Sequence, residues 1–295
     1  GHCGASRFRG PTANGVAQAN SPLTWSETEN VKWKVKIPGF GSSTPIIWGD
    51  QVFITTAIPT GKKSEAKKPE TESAPENRDG RRRRGGFGGE PAPDEIYQFV
   101  LICYDRESGK VRWQKFAREE APHEGHHKDH GYASASPMTD GKHVLAYFGS
   151  RGLYCYDMDG NLKWEKDFGD MQVRGGFGEG SSAALHGDTV VVLWDYEGDD
   201  FIAVLDKNTG KEKWRQARDE PSGWSTPLIT EYKGQMQVIV NGTNKVRCYD
   251  LKTGRLLWEC GGQTLNTIPT PVADKDTVYV TSGFRGNALQ AIELG

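Results

Sequence analysis

Four of the seven histidines, His123, His126, His127 and His130, fall within eight residues. Imidazoles at that spacing could ligate zinc, copper or nickel. No cysteine or distant histidine can be assigned to join them, and a solvated polar connector is the competing reading. Asp195-Tyr196-Glu197-Gly198-Asp199-Asp200 alternates oxygens as a calcium loop does. It lacks the spaced glycine and terminal glutamate of an EF-hand loop, so it reads as a solvated acidic turn. Gly175-Gly176-Phe177-Gly178-Glu179-Gly180 leads into a strand pattern, not a helix, which removes it as a phosphate cradle. The tract Arg81-Arg82-Arg83-Arg84-Gly85-Gly86-Phe87 could bind RNA. However, nine basic and eight acidic residues nearly cancel over 58–95, and the whole chain carries a net charge of −2. No nucleic acid is therefore expected, and 58–95 reads as a disordered surface insertion. A G-x-S-x-G elbow, a P-loop and an H-E-x-x-H helix are all absent from the chain.

The elements that must position these residues come from a repeat. Four times the chain writes a small apolar residue, an aromatic or Leu, Asp, a glycine turn, then Trp. The copies centre on Asp105, Gly109 and Trp113; Asp157, Gly160 and Trp164; Asp206, Gly210 and Trp214; and Asp250, Gly254 and Trp258. A fifth, Ala291-Ile292-Glu293-Leu294-Gly295, stops at its glycine. Upstream of each lie a Ser/Thr-Pro or Ser-Ser-Ala step and two short β-branched or aromatic runs bounded by Gly, Asp and Asn, which read as strands. Four antiparallel strands per unit, repeating every 40 to 50 residues, predict an all-β propeller of four-stranded blades. The Asp residues read as turn formers and the Trp residues as packing surfaces between blades, not as catalytic groups.

The predicted blades are 42–117, 133–168, 180–217 and 223–260, plus a fifth made from 31–37 together with 268–293, after an N-terminal extension over 1–30. Trp33, in Val31-Lys32-Trp33-Lys34-Val35-Lys36-Ile37, reads as an outermost strand without the three that should precede it. Either that segment closes a five-blade ring, or the chain is a truncated part of a larger one. Truncation is the favoured expectation, and it implies exposed sheet edges. Cys103, Cys155 and Cys248 share one register in three blades, too far apart to bridge, and read as small buried residues. Cys3 and Cys260 are left over. No run reaches the 18 apolar residues of a membrane span.

The line Val204-Leu205-Asp206-Lys207-Asn208-Thr209-Gly210-Lys211-Glu212-Lys213-Trp214 resembles the tryptophan-docking motif of the pyrroloquinoline-quinone (PQQ)-like β-propellers. That superfamily includes quinoprotein alcohol dehydrogenases and the lipoprotein scaffold of outer-membrane β-barrel assembly. The resemblance implies a ring of about eight blades, five of them present here, and export to the periplasm or cell surface. It also raises PQQ and calcium as cofactors, but the adjacent cysteine pair and the acidic and amide calcium ligands of the dehydrogenases cannot be matched. No cofactor is assigned.

The reading that follows is a non-enzymatic exported scaffold binding a protein partner or small ligand at one mouth of the propeller; a quinone- or metal-dependent oxidoreductase is the alternative. Contacts are expected from the loops leading into the blades: His126, His127, His130 and Tyr132; Arg174, Phe177 and Glu179; Trp224; Asn266; and Phe284, Arg285 and Asn287.

Overall fold

The structure, a computed structural model, describes residues 10, 15, 22–65 and 88–294. Its strands form five antiparallel sheets, each taken up in chain order. The first blade is β1 (Ile46–Trp48), β2 (Gln51–Lys63), β3 (Glu95–Asp105) and β4 (Val111–Glu120). The second is β5 (Met138–Thr139), β6 (His143–Tyr147), β7 (Leu153–Asp157) and β8 (Leu162–Lys166). The third is β9 (Ala184–His186), β10 (Thr189–Trp194), β11 (Phe201–Asp206) and β12 (Glu212–Ala217). The fourth is β13 (Leu228–Tyr232), β14 (Gln235–Asn241), β15 (Lys245–Asp250) and β16 (Leu256–Gly261). The fifth has three strands, β17 (Val272–Asp274), β18 (Thr277–Ser282) and β19 (Ala288–Glu293).

The middle strands of the second, third and fourth blades read as unbroken apolar runs because those sheets are covered on both faces by their neighbours, whereas β18 and β19 of the fifth alternate more and less buried residues. Successive residues point to opposite faces, so one strand serves two cores. In β10, Val190 and Val192 pack with Leu145, Leu153 and Cys155 of the second blade. Val191 and Leu193 of the same strand pack with Ile229, Val238 and Tyr249 of the fourth. Cys103, Cys155 and Cys248 are free, buried thiols, each facing the following blade. Burial pushes all three up to about 12, which leaves them unreactive. Cys260 is likewise a free thiol, and Cys3 lies outside the described residues.

The repeat line builds one joint four times over. Asp Oδ1 accepts from backbone N–H groups of the turn: Ser108 and Glu107 on Asp105, Asn161 on Asp157, Thr209 on Asp206 and Thr253 on Asp250. The turn glycines Gly109, Gly160, Gly210 and Gly254 hold φ of +70°, +80°, +70° and +74°. The indole N–H groups of Trp33, Trp113, Trp164 and Trp214 then donate to the carbonyl after each Asp, on Arg106, Met158, Lys207 and Leu251, at 2.9, 3.1, 2.7 and 2.9 Å. Each ring lies flat on the next glycine, where a Cβ would come within 3.0 Å of it. Aspartate shapes the turn, glycine clears the space, and tryptophan clamps one blade to the next.

A second tie runs nearer the axis, through the Ser/Thr steps that open each unit. The backbone N–H of Thr44 donates to Ser136 Oγ, that of Ser136 to Ser182 Oγ, that of Ser182 to Thr226 Oγ1 and that of Thr226 to Thr270 Oγ1, at 3.0, 2.9, 3.1 and 3.3 Å. These hydroxyls satisfy main-chain donors that no strand can pair where the chain enters the sheet.

Two boundaries differ from the sequence reading. Among the described residues, β19 pairs only with β18, and residues 31–37 form no strand beside it. Instead that segment runs along the first blade: Trp33 docks on Arg106, Thr56 donates to Pro38 O, and Phe40 bridges Ala57. The combined fifth blade of 31–37 with 268–293 is therefore not formed, because Trp33 finds the same turn-and-glycine seat that the other tryptophans occupy. The insertion is also narrower than 58–95. Main-chain pairing carries β2 to Lys63 and starts β3 at Glu95, with Lys63 opposite Glu95. Residues 66–87, with the arginine tract, lie outside the described residues.

A buried ion pair ties the third blade to the second. Lys207 Nζ, its side chain only 8% exposed, reaches Asp140 of the β5–β6 turn at 2.5 Å. Burial pushes the Asp140 carboxyl up. The Lys207 ammonium and the N–H groups of His143 and Lys142 outweigh it and hold the group at about 2. A carboxylate held below its unfolded value contributes stability that is complete above about pH 4 and is lost as pH falls toward 2. Asp140→Asn should therefore flatten the acid limb of the stability curve between pH 4 and 2. Urea midpoints measured across that window check this; an unchanged slope refutes it.

Candidate functional site

The leading loops of four blades and the β18–β19 hairpin converge on one cleft of about 410 Å³, walled by Phe177, Trp224, Ile268 and Phe284 with His127, His130 and Asn266. Trp224 is its fixed wall. Its backbone N–H donates to Thr267 O at 2.9 Å and its indole N–H to Gly178 O at 2.6 Å. Phe177 stands edge-on to it at 6.4 Å, and the His127 ring lies 6.1 Å from Phe177. Gly175 and Gly176, at φ +64° and +63°, turn the chain so that Phe177 faces the cleft, and the Arg174–Gly176 segment is a single 3₁₀ turn. A smaller hollow of about 230 Å³ adjoins, where Arg174 and Arg285 join Phe177, Asn266 and Phe284. Arg174 pairs with Glu197 at 3.3 Å, whereas Arg285 makes no ion pair among the described residues.

Eight of the twelve contacts expected from the sequence line these two hollows: His127, His130, Phe177, Trp224, Asn266 and Phe284 in the larger, with Arg174 and Arg285 added by the smaller. Tyr132 and Glu179 line instead a small neighbouring cavity of about 50 Å³. The Glu179 carboxylate accepts from Ser150 N–H and Oγ at 2.7 and 2.5 Å. Burial pushes that carboxyl above its usual range, against the Ser150 donors and the charges of His123 and Arg151. His126 packs on Tyr132 with ring centres 4.6 Å apart. Asn287 lies on the β18–β19 hairpin but does not line the cleft.

The four clustered histidines do not make a metal centre. Each ring is engaged elsewhere: His123 with Met171 O, His126 with His127 O, and His130 with Glu179 O, while His127 Nδ1 accepts from Asp129 N–H. No three His, Cys, Asp or Glu side chains converge among the described residues. His130 serves as a post, bridging Glu179 O at 2.9 Å and Ser134 Oγ at 3.1 Å, and burial lowers its pKa. Among the described residues, Cys103, Cys155 and Cys248 stand in separate blades and no three His, Cys, Asp or Glu side chains converge, so the donor set that the dehydrogenase resemblance implies for PQQ and calcium is not gathered there.

The acidic turn after β10 corrects another expectation. Asp195 and Asp200 are 5% and 7% exposed, not solvated. Arg218 holds Asp195 through Nε and Nη2 at 2.6 and 3.0 Å and donates to Tyr249 Oη at 2.8 Å, while Glu220 N–H caps Asp200. Beside it, Arg247 pairs with the buried Glu220 at 2.6 Å. The sequence signal was available in the two arginines, Arg218 just after β12 and Arg247 within the apolar run of β15, but nothing local names their partners.

The comparisons with known proteins follow the same lines. A family described as outer membrane protein assembly factor BamB matches residues 94–198. A protein of that name from Shewanella oneidensis is 25% identical over 241 residues, covering 64% of this chain and 60% of its own. The chain thus spans less than two thirds of this curated relative. Among solved structures, a europium-containing methanol dehydrogenase aligns over 81% of this chain and 51% of its own, with 15% identity and a TM-score of 0.50. BamB from Moraxella catarrhalis aligns over 67% of this chain and 54% of its own, with 18% identity and a TM-score of 0.44. Repeat line, sheet order and fold similarity converge on a β-propeller fold with five described blades, and residues 94–198 carry the similarity to the BamB family.

Proposed function

We propose that this propeller is a binding scaffold whose mouth holds a protein partner, and that it serves outer-membrane protein assembly in the periplasm. One observation carries the reading: loops from separate blades, each pinned to its neighbour by main-chain hydrogen bonds, together present one aromatic-walled cleft. A surface fixed before binding loses little conformational entropy when a partner arrives. Similarity to BamB, named for outer membrane protein assembly, supports the setting.

Photo-crosslinking in the native host tests it. A benzoylphenylalanine placed at Ile268, which is 59% exposed in the cleft, should give one discrete protein adduct. The same group at Lys163, on the outer strand β8, should give none. Equal adducts from both positions, or none from either, would refute a mouth-directed scaffold.

A further inference from the structure

We infer that the mouth cleft recognises an extended peptide segment carrying an aromatic side chain with a carboxylate beside it. The inference rests on the scaffold reading and specifies the partner's chemistry. Three features of the cleft select that chemistry.

The first is the wall. Phe177, Trp224 and Phe284 with Ile268 enclose a volume of about 410 Å³, within the range of roughly 300–1,000 Å³ that ligand clefts occupy. Ile268 stays 59% exposed and Phe177, Trp224 and Phe284 are half-buried, so an apolar surface from four loops waits for cover. Ring faces and edges set at fixed angles suit another ring, which gains from edge-to-face contact beyond its buried area.

The second feature separates a peptide from a free aromatic compound. Asn266, at φ +58° and 7% exposed, lines both hollows, and its side-chain oxygen has no partner among the described residues. A carboxamide offers one acceptor and one donor, the complement of a peptide unit. A small rotation of the side chain toward the cleft would satisfy the orphaned oxygen with a backbone N–H. An aromatic residue within a chain brings that N–H with it.

The third is charge. Arg285 sits at the tip of the β18–β19 hairpin, exposed, at φ +51°, with no ion pair among the described residues and its guanidinium 5.5 Å from the Phe284 ring. Arg174 lines the same smaller hollow. A carboxylate adjacent to the bound ring would meet Arg285, and a guanidinium holds a carboxylate with two directed N–H groups.

Calorimetry with capped peptides and the 295-residue chain tests this. Acetyl-Gly-Asp-Phe-Asp-Gly-amide should bind with a dissociation constant of about 10–100 µM. Changing its Phe to Ala should weaken binding at least about tenfold, and changing both Asp to Asn about fivefold. In the protein, Phe284→Ala should reproduce the first loss. Arg285→Glu should reproduce the second while leaving the Asn peptide unaffected. Both variants lie on an exposed hairpin, so an unchanged melting temperature certifies their fold. Saturable binding that ignores the Phe-to-Ala change, or no saturable binding by millimolar peptide, overturns the inference. If the Ile268 crosslinker still yields its adduct in that case, the scaffold reading stands and only the peptide chemistry falls.

Discussion

Arg218→Met is expected to lower the unfolding free energy by about 3–5 kcal/mol, the cost of leaving a buried charge without its partner. For a chain of this size that corresponds to a fall of roughly 10 °C in melting temperature. The Arg218 and Asp195 side chains are 0% and 1% exposed, so no water can replace the lost guanidinium. The substitution strips Asp195 of two N–H donors and Tyr249 Oη of a third. Tyr249 belongs to the fourth blade and Asp195 to the third, so the loss also loosens a contact between blades. The double variant Arg218→Met/Asp195→Leu should recover most of the loss, because removing both charges removes the desolvation penalty with them. Urea denaturation of the wild type, both singles and the double measures the coupling. A double variant no more stable than Arg218→Met would show that the arginine acts by packing, not as a counter-charge.

Trp164→Ala is expected to cost about 3 kcal/mol, the lower end for removing a large aromatic side chain, since the ring is half-buried. It deletes the 2.7 Å bond to Lys207 O and the cover over Gly210. Blades in an array contact only their neighbours, so weakening one joint should also broaden the unfolding transition, the second and third blades no longer melting together. Gly210→Ala gives the complementary result. Its φ of +70° costs an L-residue about 1–2 kcal/mol, and its Cβ would lie 2.6 Å from Trp164 Cε3. In the Trp164→Ala background the clash disappears and only the backbone cost remains, so the two losses should sum to more than the double variant shows. Strict additivity, read from calorimetric melting of the four proteins, would mean that ring and glycine do not share a joint.

These joints were legible in the sequence because they are local. Asp206, Thr209 and Gly210 close one turn within five residues, and the residue types needed there have no common substitute: a short carboxylate to accept N–H groups, and a residue without a Cβ at positive φ. The buried state of Cys103, Cys155 and Cys248 followed from their shared register in a strand covered on both faces. The convergence of His127, Phe177, Trp224, Asn266 and Phe284 was legible more coarsely, since a propeller brings corresponding loops to one end.

What the sequence by itself determined is therefore the repeated unit: strand order, turn chemistry, and the end of the blade where loops gather. The tertiary structure alone decided which blade each group meets. His123 and His130 were drawn apart by the carbonyls of Met171 and Glu179, which no spacing within 123–130 reveals. Asp195 was buried by an arginine 23 residues away, and Trp33 seated on a glycine 76 residues downstream instead of joining β19. The reason is physical. Hydrogen bonds within a turn depend on a few consecutive dihedrals, whereas desolvation and ion pairing depend on what lies across an interface between blades, and period alone carries no information about the opposing face.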